Sequence, residues 1–249
     1  MATTTMQNKS TAGDPLKNPV KIRNMFSGLA RRYDLANRVM SLGMDLFWRE
    51  ALARRIKVLE EPGRLLDMAS GTGDQIVAAK KLRPRLKTVG LDFSAAMLEL
   101  ARPKFAPLPG PPPEILVGDV LNAPFEHAVF DSVSVSFGLR NVTSRLDFYA
   151  EAWRVLKPGG RLLVLEMFHD RASRLAPLKG YYLKKIVPVL GGRLVSREHE
   201  AYQYLVSSIM SFPQPAELLA ELNGAGFVKT GFRTYTFNSV MLAWGEKSG

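Results

Sequence analysis

The segment Arg64–Gln75, RLLDMASGTGDQ, runs from apolar residues into a turn that sets Gly71 and Gly73 between Asp67 and Asp74. A glycine turn after a strand is where backbone can approach a nucleotide closely. Both phosphate-binding patterns of that kind fail here. Counting G-x-G-x-x-G from Gly71 puts Ile76 at the third glycine's position, and no G-x-x-x-x-G-K-[ST] occurs in the chain. A lone Gly-x-Gly can equally be a plain strand-to-helix turn, so the acids decide the weighing. With no lysine in the turn, Asp67 and Asp74 would repel a pyrophosphate and attract a cation.

A ligand with an adenosine body and a positive head suits such a turn, and S-adenosylmethionine carries both a sulfonium and an ammonium. Asp92 ends the next apolar run, about 20 residues on, where a carboxylate accepts from ribose hydroxyls. Its alternative role is to cap the helix that starts after Ser94. Asp119 ends a third run, in VGD, within reach of an adenine amino group, and SVSFGLRN brings Ser136–Asn141 to the end of a fourth. Four successive strands delivering polar groups to one edge make a binding rim rather than four accidents.

The elements that must hold these residues alternate. RLLDMA, KTVGLDF, EILVGD and FDSVSVSFG read as strands, DQIVAAKKL and SAAMLELARPKF as helices with Ser94 as N-cap, and RLDFYAEAWRVL as a further helix. A KPGG turn then leads into the strand RLLVLEMF, and PLPGPPP is a stiff loop inside the alternation. The end of the chain reads as a β-hairpin. The pattern predicts an α/β fold, a doubly wound and mostly parallel sheet with ligands at the strands' carboxyl ends. We expect a tail over residues 1–20, a single domain over 21–249, a helical cap over 21–60 and a helical lid insertion over 171–212.

With 249 residues, 46% of them hydrophobic, the chain can bury one sizeable core. It has no cysteine, which excludes disulfides, thiolate metal sites and cysteine nucleophiles. The polar start lacks a secretory signal's apolar centre, and no apolar run nears the roughly 18 residues that span a bilayer, so a cytoplasmic protein is expected. The net charge of +11 favours polyanions such as nucleic acid or an anionic membrane surface.

From about Lys21 onward the chain resembles the ubiquinone/menaquinone biosynthesis C-methyltransferases, a branch of the class I S-adenosylmethionine-dependent methyltransferases. The resemblance rests on YDLANRVMSLGMDLFW (Tyr33–Trp48), SFGLRNVT (Ser136–Thr143) and RVLKPGGRLLVLE (Arg154–Glu166). It implies a seven-stranded sheet whose last strand is antiparallel. It also makes Thr72 a cofactor contact, Asp92 the ribose ligand, Asp119 and Val120 the adenine contacts and Ser136 a contact near the methyl donor. Asp67, Ser70, Gly71 and Gly73 of the turn, with Phe93 beside Asp92, complete the expected cofactor site. Four positions depart from the family's pattern: Ala36 stands for methionine, Asp45 for histidine, Phe168 for serine and Ser70 for glycine. They fall mostly on the substrate side.

The reaction implied moves a methyl group to a ring carbon of a polyprenylated quinol, either demethylmenaquinol, which we favour, or the ubiquinone precursor. Arg140, beside Asn141, is assigned to stabilising the developing phenolate or orienting a water, with a structural salt bridge as its alternative. Tyr33 and Asn37, one helical turn apart, would close the substrate side, though Tyr33 equally fits core packing. In-line methyl transfer needs positioning and no metal. The three histidines show no ligand spacing.

Arg174–Leu190 joins apolar and basic residues in the manner of an interfacial helix, or of a lid with a solvated basic face. The expected partners are the quinol and, transiently, an anionic membrane surface on its inner face, and a homodimer is left open. Nucleic acid is not expected as substrate, because SFGLRN replaces the Asn/Asp-Pro-Pro-aromatic loop of base methylases and no cysteine serves ring carbon. A cofactor-binding scaffold without catalysis is the reading from another class.

Overall fold

Short apolar runs bounded by turns become strands when both of their faces can be covered, as they are for the runs that begin at Arg64, Lys87, Phe130 and Leu156. The computed structural model describes Asp34, Asn37, Arg38 and residues 41–173 and 199–249. In chain order its elements are α1 (Met44–Ala53), β1 (Arg64–Met68), α2 (Asp74–Leu82), β2 (Lys87–Asp92), α3 (Ala95–Phe105) and β3 (Glu114–Val117). β4 (Phe130–Ser136), a 3-10 turn (Leu139–Asn141), α4 (Arg145–Val155) and β5 (Leu156–Met167) follow. The described chain closes with α5 (His199–Ser211), α6 (Pro215–Gly224), β6 (Phe227–Tyr235) and β7 (Val240–Lys247).

The seven strands form one sheet in the order β3-β2-β1-β4-β5-β7-β6, with β7 antiparallel to both of its neighbours and the other pairs parallel. This is the expected doubly wound sheet, closed by the expected hairpin. Alternate residues of each strand face opposite layers. Leu66, Met68, Val133, Val135, Leu162 and Val164 pack with Phe148, Ala152 and Val155 of α4 and with Leu218 and Leu222 of α6. On the other face Leu65, Leu163, Leu165 and Leu242 pack with Trp48, Leu52 and Ala53 of α1 and Ala79 of α2. Each such leucine contributes about 1.5–3 kcal/mol relative to exposure.

One boundary differs from the sequence expectation. Lys157–Gly160 does not separate the helix from a later strand but lies inside β5. Leu156 pairs with Phe130, and the register then jumps so that Arg161 pairs with Ser132. Gly159 takes the excess length in a left-handed conformation, φ 74°. Of the expected cap and lid, the structure describes α1 and α5 with their flanks. Tyr33, Ala36 and the expected helix Arg174–Leu190 lie outside the described residues.

Strand order reverses between β1 and β4, so a crevice opens at their carboxyl ends, the place where parallel α/β sheets bind ligands.

Candidate functional site

The glycine turn sits at that crevice, and its shape follows from its residues. Ala69, Gly71 and Gly73 all take positive φ (55°, 53° and 77°), which swings the chain from β1 into α2 within five residues. Gly73 is also required by packing, because a Cβ there would stand 2.5 Å from the Phe105 ring and 3.0 Å from Ala101 on α3. The Gly71 amide donates to Asp92 Oδ2 (2.8 Å), and the Ser94 amide donates to Oδ1 of the same carboxylate (2.8 Å). Ser94 caps α3, accepting from the Met97 amide. Asp92 therefore does not cap α3 itself but ties the cap residue Ser94 to the glycine turn, and each of its carboxylate oxygens has a further lone pair. Phe93 beside it is half-buried.

Three carboxylates near the turn have different electrostatic fates. Asp67 lies opposite Ser134 on the neighbouring strand β4, whose hydroxyl donates to Oδ1 at 2.6 Å. It is 1% exposed, and burial pushes it up to about 7, against the pull of Ser134 and Arg49. Burial pushes Asp92 up as well, partly offset by its two amide donors. Asp74 is pushed up by burial too, but Arg49, Lys104 and Arg38 outweigh that and hold it below the ordinary carboxylate range. Asp74 forms ion pairs with Lys104 (2.6 Å) and Arg38 (3.0 Å).

The expectation that Asp67 and Asp74 both await a cation therefore fails for Asp74. Asp74 is already neutralised by bases 30 and 36 residues away in sequence. Asp67 keeps a single hydrogen bond among the described residues. Thr72 is 3% exposed and donates to Asp34 Oδ1 (2.6 Å), and Asp34 also takes Lys104 (2.5 Å). The segment before α1 is thus fastened onto the turn by Thr72, Asp34, Lys104, Asp74 and Arg38. Asp45, a departure from the family pattern, belongs to the same network through Arg38 and Ser41.

The rest of the rim follows the strand ends. Asp119 lies just past β3, exposed, with Oδ1 accepting from the Leu121 amide (2.9 Å), and Val120 beside it is buried. The Ser136 hydroxyl donates to Gln75 Oε1 (3.1 Å). Arg140 is 7% exposed and forms an ion pair with Glu166, which has no exposed surface. Glu166 further accepts from the amides of Arg140 (3.2 Å) and Met167 (2.9 Å). The salt-bridge role weighed for Arg140 is therefore present. Asn141 Oδ1 accepts from the Tyr204 hydroxyl of α5 at 3.0 Å.

The nucleoside inferred from the turn fits these groups. Among the described residues the guanidinium of Arg49 and the hydroxyl of Ser70 have no hydrogen-bond partner, though both have buried polar atoms. A crevice that holds a carboxylate near 7 beside an unpartnered guanidinium suits a ligand bearing both signs of charge. Comparison with known proteins agrees. The model of the ubiE/COQ5 methyltransferase family matches residues 15–247. The chain belongs to that family.

Its similarity to individual relatives spans nearly the whole chain. It is 38% identical to the demethylmenaquinone methyltransferase of Deinococcus radiodurans, over 98% of this chain and 99% of that one. It is also 38% identical to the ubiquinone/menaquinone biosynthesis C-methyltransferase UbiE of Geobacter sulfurreducens, over 91% and 88% of the two chains. Among solved structures, a SAM-dependent methyltransferase of Thermotoga maritima superimposes with a TM-score of 0.63 at 19% identity, over 91% of this chain and all of that one, and shows the shared fold. This member of the ubiE/COQ5 family is an S-adenosylmethionine-dependent methyltransferase with the class I architecture.

Sequence reasoning did not single out Arg49, Gln75, Lys104, Glu166 or Tyr204. Glu166 left the clearest trace, an acid inside the otherwise apolar RLLVLEMF. The others are ordinary polar positions on helices, and only the packing of α1, α2, α3 and α5 at the rim gives them a role.

Proposed function

We propose that this methyltransferase transfers the methyl group of S-adenosylmethionine to a ring carbon of a polyprenylated quinol, with demethylmenaquinol as substrate. The observation that supports the reading is the sheet's carboxyl edge: Asp67, Asp92 and Ser136 stand at the ends of β1, β2 and β4, and the buried Arg140–Glu166 pair joins the 3-10 turn after β4 to the end of β5. The substrate class comes from relatives named for that reaction. The ubiquinone precursor is a second substrate reading, favoured by relatives named for both quinones.

In this reading the ring carbon ortho to a phenolic oxygen attacks the methyl carbon in line. The new C–C bond forms as the S–CH3 bond breaks, and sulfur keeps the electron pair. The ring then loses its proton to water and regains aromaticity. A free phenol ionises near pH 10, so the site must favour the phenolate. We assign that task to the guanidinium of Arg140, with Asn141 and Tyr33 on the substrate side. Glu166 holds Arg140 and the 3-10 turn in place and reduces their net charge, so donation rather than bare charge carries the effect. Asp67, the turn Ser70–Gly73, Asp92 with Phe93, Asp119 with Val120, and Ser136 hold the donor, and no metal takes part.

A polyprenyl substrate resides in a bilayer, and we place the enzyme, cytoplasmic, transiently at an anionic membrane face. No helix among the described residues is long and apolar enough to cross a membrane. Support for docking comes from Leu42 (88% exposed), Leu46, Phe47 and Phe237 (82% exposed), in a chain of net charge +11. They lie at the start of α1 and in the β6–β7 turn, which α1 meets through Phe47 on Tyr235 and Trp48 on Thr236. That turn stands at the carboxyl end of β5. Binding to anionic vesicles should weaken with salt; equal partition to neutral vesicles would remove the docking reading.

The test of function is incubation with methyl-labelled S-adenosylmethionine and each reduced quinol. Label should enter demethylmenaquinol at a higher rate than the ubiquinone precursor. A scaffold would bind donor and label neither.

A further inference from the structure

We infer that Arg49 is the seat of the methyl donor's α-carboxylate. The inference rests on the reading that the rim holds S-adenosylmethionine, and it supplies what the glycine turn lacks. The donor's head carries a carboxylate as well as an ammonium, and the turn itself contributes acids but no base.

Arg49 lies on α1, outside the sheet, yet its backbone and side chain both reach the crevice. Its carbonyl accepts from Gln75 Nε2 (3.3 Å), and Gln75 Oε1 accepts from the Ser136 hydroxyl (3.1 Å), a line that runs from α1 through α2 to the end of β4. Its guanidinium stands 5.2 Å from the centre of the Phe137 ring, one residue past Ser136. That ring and Trp48 form an edge contact (6.1 Å), which keeps both side chains ordered against α1.

The arginine is 7% exposed, and among the described residues its guanidinium makes no hydrogen bond and no ion pair. Such a group is unusual: a buried guanidinium ordinarily has a carboxylate or carbonyls on its five donors. The nearby acids do not need it. Asp74 is paired with Lys104 and Arg38, Asp45 with Arg38, and the nearest hydrogen bond of Asp67 comes from Ser134. Arg49 is also the largest attractive charge acting on both Asp67 and Asp74, so it stands close to them without closing a contact on either.

An α-amino acid head fits that gap. Its carboxylate would complete the planar fork of Arg49, and its ammonium would face Asp67 on the other side. One ligand group thereby satisfies the cation that the described residues leave without a hydrogen bond, and the other neutralises the carboxylate that burial penalises.

The test is calorimetric titration of the full chain with two ligands that share the nucleoside and thioether. S-adenosylhomocysteine carries the amino-acid head, and 5′-methylthioadenosine lacks it. Arg49→Gln should weaken S-adenosylhomocysteine by about 10-fold or more, the worth of a charge-assisted pair. It should leave 5′-methylthioadenosine within about twofold. Loss of both ligands in parallel, or of neither, would overturn the assignment. A second measurement needs no variant. On the unmodified chain, decarboxylated S-adenosylmethionine should bind about 10-fold or more weakly than the parent compound, and equal affinity would overturn the assignment. Failure of the cofactor reading itself looks different, since then neither nucleoside binds the unmodified chain.

Discussion

Glu246 and Asp67 are both buried carboxylates at the ends of central strands, and the fold treats them oppositely. Glu246 lies toward the amino end of β5, opposite Arg161, and accepts from Arg161 (2.7 Å) with Lys57 (3.1 Å) and Lys229 (3.4 Å) close by. Burial pushes it up, but Arg161 and Lys57 outweigh it and bring it to about 2. Asp67, at the carboxyl end of β1, has one hydroxyl donor and sits near 7. Asp131, also at the amino end, likewise takes the Arg64 amide (2.6 Å) and Lys157 (3.1 Å). One end of the sheet pairs its buried acids with bases, and the other leaves Asp67 with a single hydroxyl donor among the described residues.

The largest effect should come from breaking the buried Arg140–Glu166 pair. Glu166→Ala leaves Arg140 buried without its carboxylate and should destabilise the protein by about 3–5 kcal/mol, read from denaturant unfolding. Arg140→Ala, measured where the protein stays folded, should lower methyl transfer by about 10² or more while S-adenosylhomocysteine affinity changes little. Turnover within a few fold would remove Arg140 from the chemistry.

At the amino end the consequence should be stability alone. Asp131→Ala orphans the Arg64 amide and should cost about 1–3 kcal/mol with donor affinity unchanged. A change in affinity there would blur the division between the two ends. Glu246 should give the smallest effect. Its folded pKa lies below its unfolded value, so its contribution is present above pH about 4.5 and is lost as pH falls toward 2. Glu246→Gln should remove that acid sensitivity, an effect that solvent screening of Lys57 and Arg161, each about a quarter exposed, keeps small.

How far the sequence carried this account depends on range. The strands were legible because β1, β2, β4 and β5 are buried on both faces and read as apolar runs, and the turn because Gly71 and Gly73 interrupt one of them. KPGG misled because a bulge and a turn use the same residues. The positions of Asp67, Asp92 and Ser136 at strand ends followed from that alternation. The partners did not. Asp74 looked like a free acid until α3 brought Lys104 and the segment before α1 brought Arg38. Arg49 lies 24 residues before the turn's Gly73, on a helix whose docking no local pattern specifies. Pairing of charges is a tertiary property, and a charge's meaning at the rim depended on it.

The division between the two ends rests most directly on Asp67. Its folded pKa is raised above the unfolded value near 3.9, so its burial favours the folded state fully below pH about 4, and that contribution is lost as pH rises through about 7. A cationic ligand beside it reverses the preference by stabilising the ionised form. Titration calorimetry with S-adenosylmethionine between about pH 6 and 8.5, in buffers of different ionisation enthalpy, reads this linkage. The account predicts affinity that rises with pH through about 7, proton release on binding, and loss of both in Asp67→Asn. Flat affinity with no proton release in the unmodified protein would contradict it.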